Sequence, residues 1–123
     1  MKTTEKIVEG FFEAMYTKNG WEELVSDEVS FEGPFTPLLK GKEAFIEVSN
    51  QFLPNLHHAE VRSMIVEGDT ACVLTSYQLG HPDKAILNLN ACEIIQVKEG
   101  KVDAMEIYFD SQKLSSFMEK MKP

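Results

Sequence analysis

Apolar residues recur at three- and four-residue intervals in the first half of this chain and at alternate positions in the second. Ile7, Val8, Phe11, Phe12 and Met15 share one helical face, so the spacing predicts an amphipathic helix over residues 4–18. Asn19-Gly20 then offers a left-handed stop. Residues 21–25 read as a second, short helix and residues 28–32 as a short strand. Gly33-Pro34-Phe35-Thr36-Pro37 reads as punctuation, with two prolines in four residues. Ala44, Phe45, Val48, Phe52 and Leu56 mark a third helix that starts near Lys42 and is stopped by Pro54.

From there the period changes to two. Residues 59–67 and 70–79 are predicted strands joined by the hairpin signal Glu67-Gly68-Asp69. Gly80-His81-Pro82-Asp83-Lys84 is a loop, and residues 86–98 form a long strand. The turn Lys98-Glu99-Gly100-Lys101 leads into a strand over residues 102–109 with Met105, Ile107 and Phe109 on its apolar face. Asp110 can cap a terminal helix striped by Leu114, Phe117, Met118 and Met121. Helices first, then a four-strand antiparallel meander, then a helix, predict an α+β fold: a curved antiparallel sheet with helices packed on one face.

A length of 123 residues suits one domain, residues 1–123, and 43% hydrophobic with 26% charged residues suits a soluble globular protein. The net charge of −8 argues against nucleic acid and anionic membranes as partners, and Arg62, the single arginine, leaves no cluster to read phosphates. Met1-Lys2-Thr3-Thr4-Glu5-Lys6 runs into an amphipathic pattern, so neither a signal peptide nor a transmembrane segment is expected. Cys72 and Cys92 both fall in predicted strands, which favours reduced thiols and a cytoplasmic location over a disulfide.

The strand over 86–98 carries the one group that looks like chemistry. One of its faces collects Leu87, Leu89, Ala91, Glu93, Ile95 and Val97, so Glu93 stands in apolar company. On that face desolvation raises its pKa and keeps it partly protonated, fit to hold or polarise a carbonyl. The alternative is a solvated or ion-paired residue, with Arg62 or a lysine as partner. For the preceding strand either Val73, Thr75 and Tyr77 look inward or Leu74, Ser76 and Gln78 do, since a slip of one residue exchanges the faces. The first set is the more apolar and is favoured.

Several short motifs keep an order that resembles the nuclear transport factor 2-like superfamily, in its SnoaL-like and ketosteroid isomerase-like branch. They are Asp27-Glu28-Val29-Ser30-Phe31-Glu32, Gly41-Lys42-Glu43-Ala44-Phe45, Glu67-Gly68-Asp69-Thr70, Ile95-Gln96-Val97-Lys98-Glu99-Gly100-Lys101-Val102 and Tyr108-Phe109-Asp110. The resemblance spans nearly the whole chain. It implies a cone-shaped, cystatin-like sheet closing around a pocket, and a homodimer through the outer sheet face. That face mixes Ile86, Ile94 and Cys92 with Asn88, Asn90 and Gln96, which suits an interface.

The superfamily does not fix a function. In the ketosteroid isomerase-like pattern a general-base Asp precedes a proline; the matching position here is Gly33, and Glu32 beside it points to the other face. The pattern's second acid, which donates to the substrate oxygen, matches Glu93; in that isomerase the acid is kept neutral by its apolar site, and the resemblance implies the same for Glu93. The tyrosine on the first helix falls by count at Glu13, with Tyr16 nearest. Relatives that hydrolyse epoxides carry an Arg and an Asp where this chain has Glu106 and Ile107. The SnoaL-like cyclases use an Asp and a His, and none of His57, His58 and His81 falls at an inward strand position.

The reading that follows is a pocket protein binding a small apolar ligand without the familiar catalytic set. Its alternative is an isomerase- or cyclase-like enzyme acting on a small carbonyl compound with Glu93 as acid or hydrogen-bond donor. Met15, Tyr16, Phe31, Phe52 and Tyr77 are candidate pocket residues, with Ala91, Met105, Ile107 and Phe109 on the later strands. Phe35 joins them from the proline-rich turn, and Trp21 either lids the pocket or staples the short helix. No metal and no cofactor is expected, since His57-His58 has no third and fourth ligand at recognisable spacing.

Overall fold

A computed structural model describes residues 3–81, 83 and 85–121, excluding the His81 side chain; Pro82 and Lys84 of the expected loop lie outside the described residues. The first helix, α1 (Thr4–Thr17), is capped by Thr3, whose hydroxyl accepts from the Lys6 amide. It ends in Lys18, not at Asn19-Gly20: Lys18 takes the left-handed conformation at φ 60°, while the Asn19 amide donates to the Ala14 carbonyl at 2.9 Å. That pairing closes the last turn before the glycine is reached. Trp21–Leu24 is a single 3-10 turn instead of an α-helix.

Strand β1 (Val25–Gly33) is longer than expected, and the proline-rich stretch holds a strand that the pattern did not predict, β2 (Thr36–Lys40). Gly33 pairs with Thr36, so Pro34-Phe35 is the hairpin turn itself. Strand β2 lies at the sheet's edge, where Pro37 lacks an N–H without cost to an inner ladder. Helix α2 (Lys42–Phe52) follows, and Pro54 sits in a closing 3-10 turn, Leu53–Asn55. The meander is β3 (Leu56–Glu67), β4 (Thr70–His81), β5 (Ala85–Lys98) and β6 (Lys101–Phe109). Helix α3 (Ser111–Lys120) is capped by Asp110, which accepts from the Lys113 amide at 3.0 Å. Leu114 and Phe117 of its stripe pack on the core, whereas Met118 is exposed.

The six strands form one open, curved sheet in the order β2-β1-β6-β5-β4-β3. It is mixed instead of wholly antiparallel, because β1 runs parallel to β6. The β1–β2 hairpin and the four-strand meander meet at that seam, and α2 lies in the connection between them. The alternation expected for β4 and β5 is observed without a slip. Ala71, Val73, Thr75, Tyr77 and Leu79 are buried together with Leu87, Leu89, Ala91, Glu93, Ile95 and Val97. The two strands stay in register from Thr70↔Gln96 to His81↔Ala85 with no bulge. Helices α1 and α2 cover this concave face and bury Val8, Phe11, Phe12, Met15 and Phe45 against it.

Candidate functional site

The floor of the site is built by β4 and β5. Glu93 lies opposite Val73, and Thr75 and Tyr77 follow at the next inward positions of β4. Two-residue alternation therefore brings three polar side chains to one spot on an otherwise apolar face. Glu93 is only 3% exposed. The Tyr77 hydroxyl donates to its carboxylate, 2.8 Å from Oε1 and 2.9 Å from Oε2, and the Thr75 hydroxyl donates to Oε2 at 3.0 Å. Tyr16, from α1, extends the chain with its hydroxyl 3.5 Å from that of Tyr77. Arg62, one expected ion-pair partner, is exposed on the outermost strand, where its Nε donates to the Thr75 carbonyl at 3.4 Å, and no lysine lines the site among the described residues.

Burial dominates the electrostatics. It pushes the Glu93 carboxyl from the usual 4.5 up to about 7, against the hydrogen bonds from Tyr77 and Thr75, which stabilise the anion. Burial also raises the phenols of Tyr16 and Tyr77, and the neighbouring Glu93 charge adds to it. At neutral pH this is a carboxyl near the midpoint of its titration, at the end of a chain of two neutral phenols.

Above the floor is a cavity of about 170 Å³. Helix α1 contributes Phe11, Phe12, Met15 and Tyr16 to its wall; α2 contributes Phe45, Val48, Ser49 and Phe52. Phe31, Thr36, Met105 and Phe109 close it from β1, β2 and β6. Tyr77 meets Tyr16 and Phe52 edge to face, with ring centres 6.1 and 5.7 Å apart. Of the residues singled out in the sequence, Met15, Tyr16, Phe31, Phe52, Tyr77, Glu93, Met105 and Phe109 are thus brought together.

Four others are placed elsewhere. Trp21 is buried under α2 with its ring 5.8 Å from Phe45, a core residue and not a lid. Phe35 is 50% exposed at the hairpin tip, stacked edgewise on Phe109. Ala91 is buried in the floor and is not among the residues lining the cavity, and the Thr75 hydroxyl lies 3.4 Å from its carbonyl. Ile107 fills the space beside Gly33. The pattern did not assign Phe11, Phe12 and Phe45 to the wall, because core and wall are continuous here. Val48 and Ser49 were legible as the spacing Phe45, Val48, Ser49, Phe52 on α2, whereas Thr36 lies on the unexpected strand.

The structure gives physical content to the missing family groups. A Cβ at Gly33 would lie 2.7 Å from Ile107 Cγ2, so no acid fits there unless Ile107 moves. Glu32 pairs with Glu106, away from the inward pair Phe31 and Met105, and Glu106 accepts from Tyr108 on the convex face. Glu13, His57 and His58 are exposed. Cys72 and Cys92 are free and half-buried on the convex face with their sulfurs 3.4 Å apart, and burial raises the Cys92 thiol. Among the described residues no three His, Cys, Asp or Glu side chains gather as a metal site, and no helix is long and apolar enough to cross a membrane.

A family model described as a SnoaL-like domain matches residues 8–105. No curated protein matches the chain. Solved structures do. An NTF2-like protein of unknown function from Cytophaga hutchinsonii is 20% identical, with 94% of this chain and 96% of that one covered and a TM-score of 0.78. A protein from Kribbella flavida under the provisional name of ketosteroid isomerase is 16% identical over 88% of this chain and 78% of its own, with a TM-score of 0.76. An epoxide hydrolase of LEH-like type from M. tuberculosis is 12% identical over 95% and 90%, with a TM-score of 0.79. At these identities the likeness is one of fold, and the differently named proteins that share it leave the reaction to the site.

Proposed function

This chain belongs to the SnoaL-like domain family, and from its site we propose that it binds one small, largely apolar molecule beside Glu93. The observation that carries this reading is the cavity of about 170 Å³ with a single buried ionisable carboxyl in its floor. An engineered cavity of about 150 Å³ holds benzene, so a cavity of about 170 Å³ has room for a single ring. The familiar family base at Gly33 and the Arg and Asp of the epoxide-hydrolysing relatives are absent, which favours binding over those reactions.

A second reading is favoured by the titration of Glu93 itself. A carboxyl near pH 7, held by Tyr77, has the proton affinity that general acid–base catalysis needs. In that case the protein is an isomerase- or cyclase-like enzyme on a small carbonyl compound, with Glu93 as acid or hydrogen-bond donor. Screening single-ring ketones, alcohols and hydrocarbons by thermal shift, then following any binder for turnover by NMR, separates the two. A chain that is stabilised by none of them has no pocket function of this kind.

We further propose a homodimer through the convex sheet face in the cytoplasm. Ile65, 66% exposed, and Tyr108, 52% exposed, flank half-buried Leu74, Cys92 and Ile94 there, and the free thiols suit a reducing compartment.

A further inference from the structure

Among the described residues Glu93 has two hydroxyl partners, Tyr77 and Thr75, and no counter-charge. Tyr77 and Thr75 both donate to it, and a carboxylate offers about four acceptor positions. Two hydroxyls do not fill them, and Glu93 lines the cavity. No lysine, arginine or histidine lines that cavity among the described residues. Buried charges are ordinarily paired, and breaking or omitting the pair is costly. The groups that do surround the carboxylate are aromatic rings, more than half of the lining residues. Ring faces are negative and attract cations most strongly where water is excluded. The chain's net charge of −8 also draws cations toward it.

Resting on the pocket reading above, we propose that the ligand is a small ammonium: a primary or secondary alkylammonium on one apolar ring or short chain. Its N–H groups donate to the Glu93 carboxylate, and its charge lies among the rings. The Tyr16 oxygen is a further acceptor, because that hydroxyl donates its own proton to Tyr77. The cavity of about 170 Å³ admits one ring and its ammonium arm. A neutral carbonyl asks the opposite of Glu93, since it needs the protonated acid, whereas an ammonium needs the carboxylate to which Tyr77 and Thr75 donate.

The two ligand classes differ in the sign of their pH dependence. The titratable groups facing Glu93 are Tyr77 from β4 and Tyr16 from α1, both held neutral by raised pKa values. Helix α2 and strands β1, β2 and β6 present Ser49, Phe52, Phe31, Thr36 and Met105 to the cavity, none of them charged. Glu93 thus governs the profile. An ammonium binds the carboxylate form, so its affinity climbs as pH rises toward about 7 and levels off above.

The test is calorimetry on the full chain with benzylammonium, benzaldehyde and toluene, three probes of one size. Between about pH 5.5 and about pH 8, benzylammonium should gain roughly thirtyfold in affinity and release a proton at the lower pH. Toluene should be indifferent to pH. Glu93→Gln should abolish the benzylammonium preference and leave toluene binding. If that variant does not fold, the wild-type profile with the matched probes decides alone. Benzaldehyde binding that weakens with rising pH, with benzylammonium no better than toluene, overturns the ammonium class and leaves the pocket standing. Failure of all three probes overturns the pocket reading itself.

Discussion

Replacing Glu93 by glutamine removes one ionisable proton while keeping the side chain's size and its acceptor oxygen for Tyr77 and Thr75. In the folded chain this carboxyl titrates at about 7 against an ordinary 4.5. At about 1.4 kcal/mol per pH unit, that gap is worth about 3 kcal/mol. Between those two values the folded chain binds the proton and the unfolded chain does not. The stabilising contribution is therefore complete below about pH 4.5 and is lost as pH rises through about 7. The glutamine does not titrate. The unfolding free energy of Glu93→Gln, minus that of the wild type, should accordingly shift by about 3 kcal/mol in the variant's favour from about pH 4 to about pH 8. All other carboxylates cancel in that difference. Urea unfolding at the two pH values measures it directly; in thermal unfolding the same shift is on the order of 10 °C. A difference that stays constant to within about 0.5 kcal/mol would refute the claim that burial of Glu93 outweighs its hydrogen bonds.

Tyr77→Phe removes the closest donor to the carboxylate, so the Glu93 pKa should rise further and stability should fall by about 1–2 kcal/mol; NMR titration of the carboxyl carbon checks the first and urea unfolding the second. Gly33→Asp should not restore a base, because the new side chain meets Ile107 Cγ2; a loss of about 1–3 kcal/mol is expected, and an undiminished melting temperature would show that Ile107 yields freely. Gly80→Ala should cost about 2 kcal/mol or more, since φ is +120° and the new carbon would collide with the Ala85 carbonyl oxygen; circular dichroism melts would expose an unharmed variant. Ile65→Lys with Tyr108→Lys on the convex face should give a monomer by light scattering while leaving Glu93 titration unchanged; a dimer that persists places the interface elsewhere.

Strand periodicity made the centre of the site legible. Leu87, Leu89, Ala91, Glu93, Ile95 and Val97 share a buried face because two-residue alternation holds without a bulge along β5 where it pairs with β4. The choice between Tyr77 and Gln78 as the inward residue needed only the more apolar set. Where the pattern misleads, a local signal stands for something else. Pro34 and Pro37 mark a hairpin and an edge strand, which sequence alone does not distinguish from a loop. The parallel seam between β1 and β6 joins residues from opposite halves of the chain, as in Phe31 with Met105, and no local period reports such a pairing. Trp21 and Phe35 show a further limit: an aromatic near the pocket in sequence order can be core or rim, and packing decides.

The long unbroken ladder between β4 and β5 has a bearing on how this protein can change. Thr75, Tyr77 and Glu93 hang from its rungs, whereas the rings that shape the cavity come mostly from α1, α2, β1 and β6. A point change in Phe31 or Val48 alters the room without touching the rungs that aim the acid. A one-residue shift of β5 against β4 would turn Glu93 out to solvent together with its whole apolar face. Diversification is therefore channelled: ligand size and shape can drift by single substitutions, while the acidity of the floor is inherited with the backbone register.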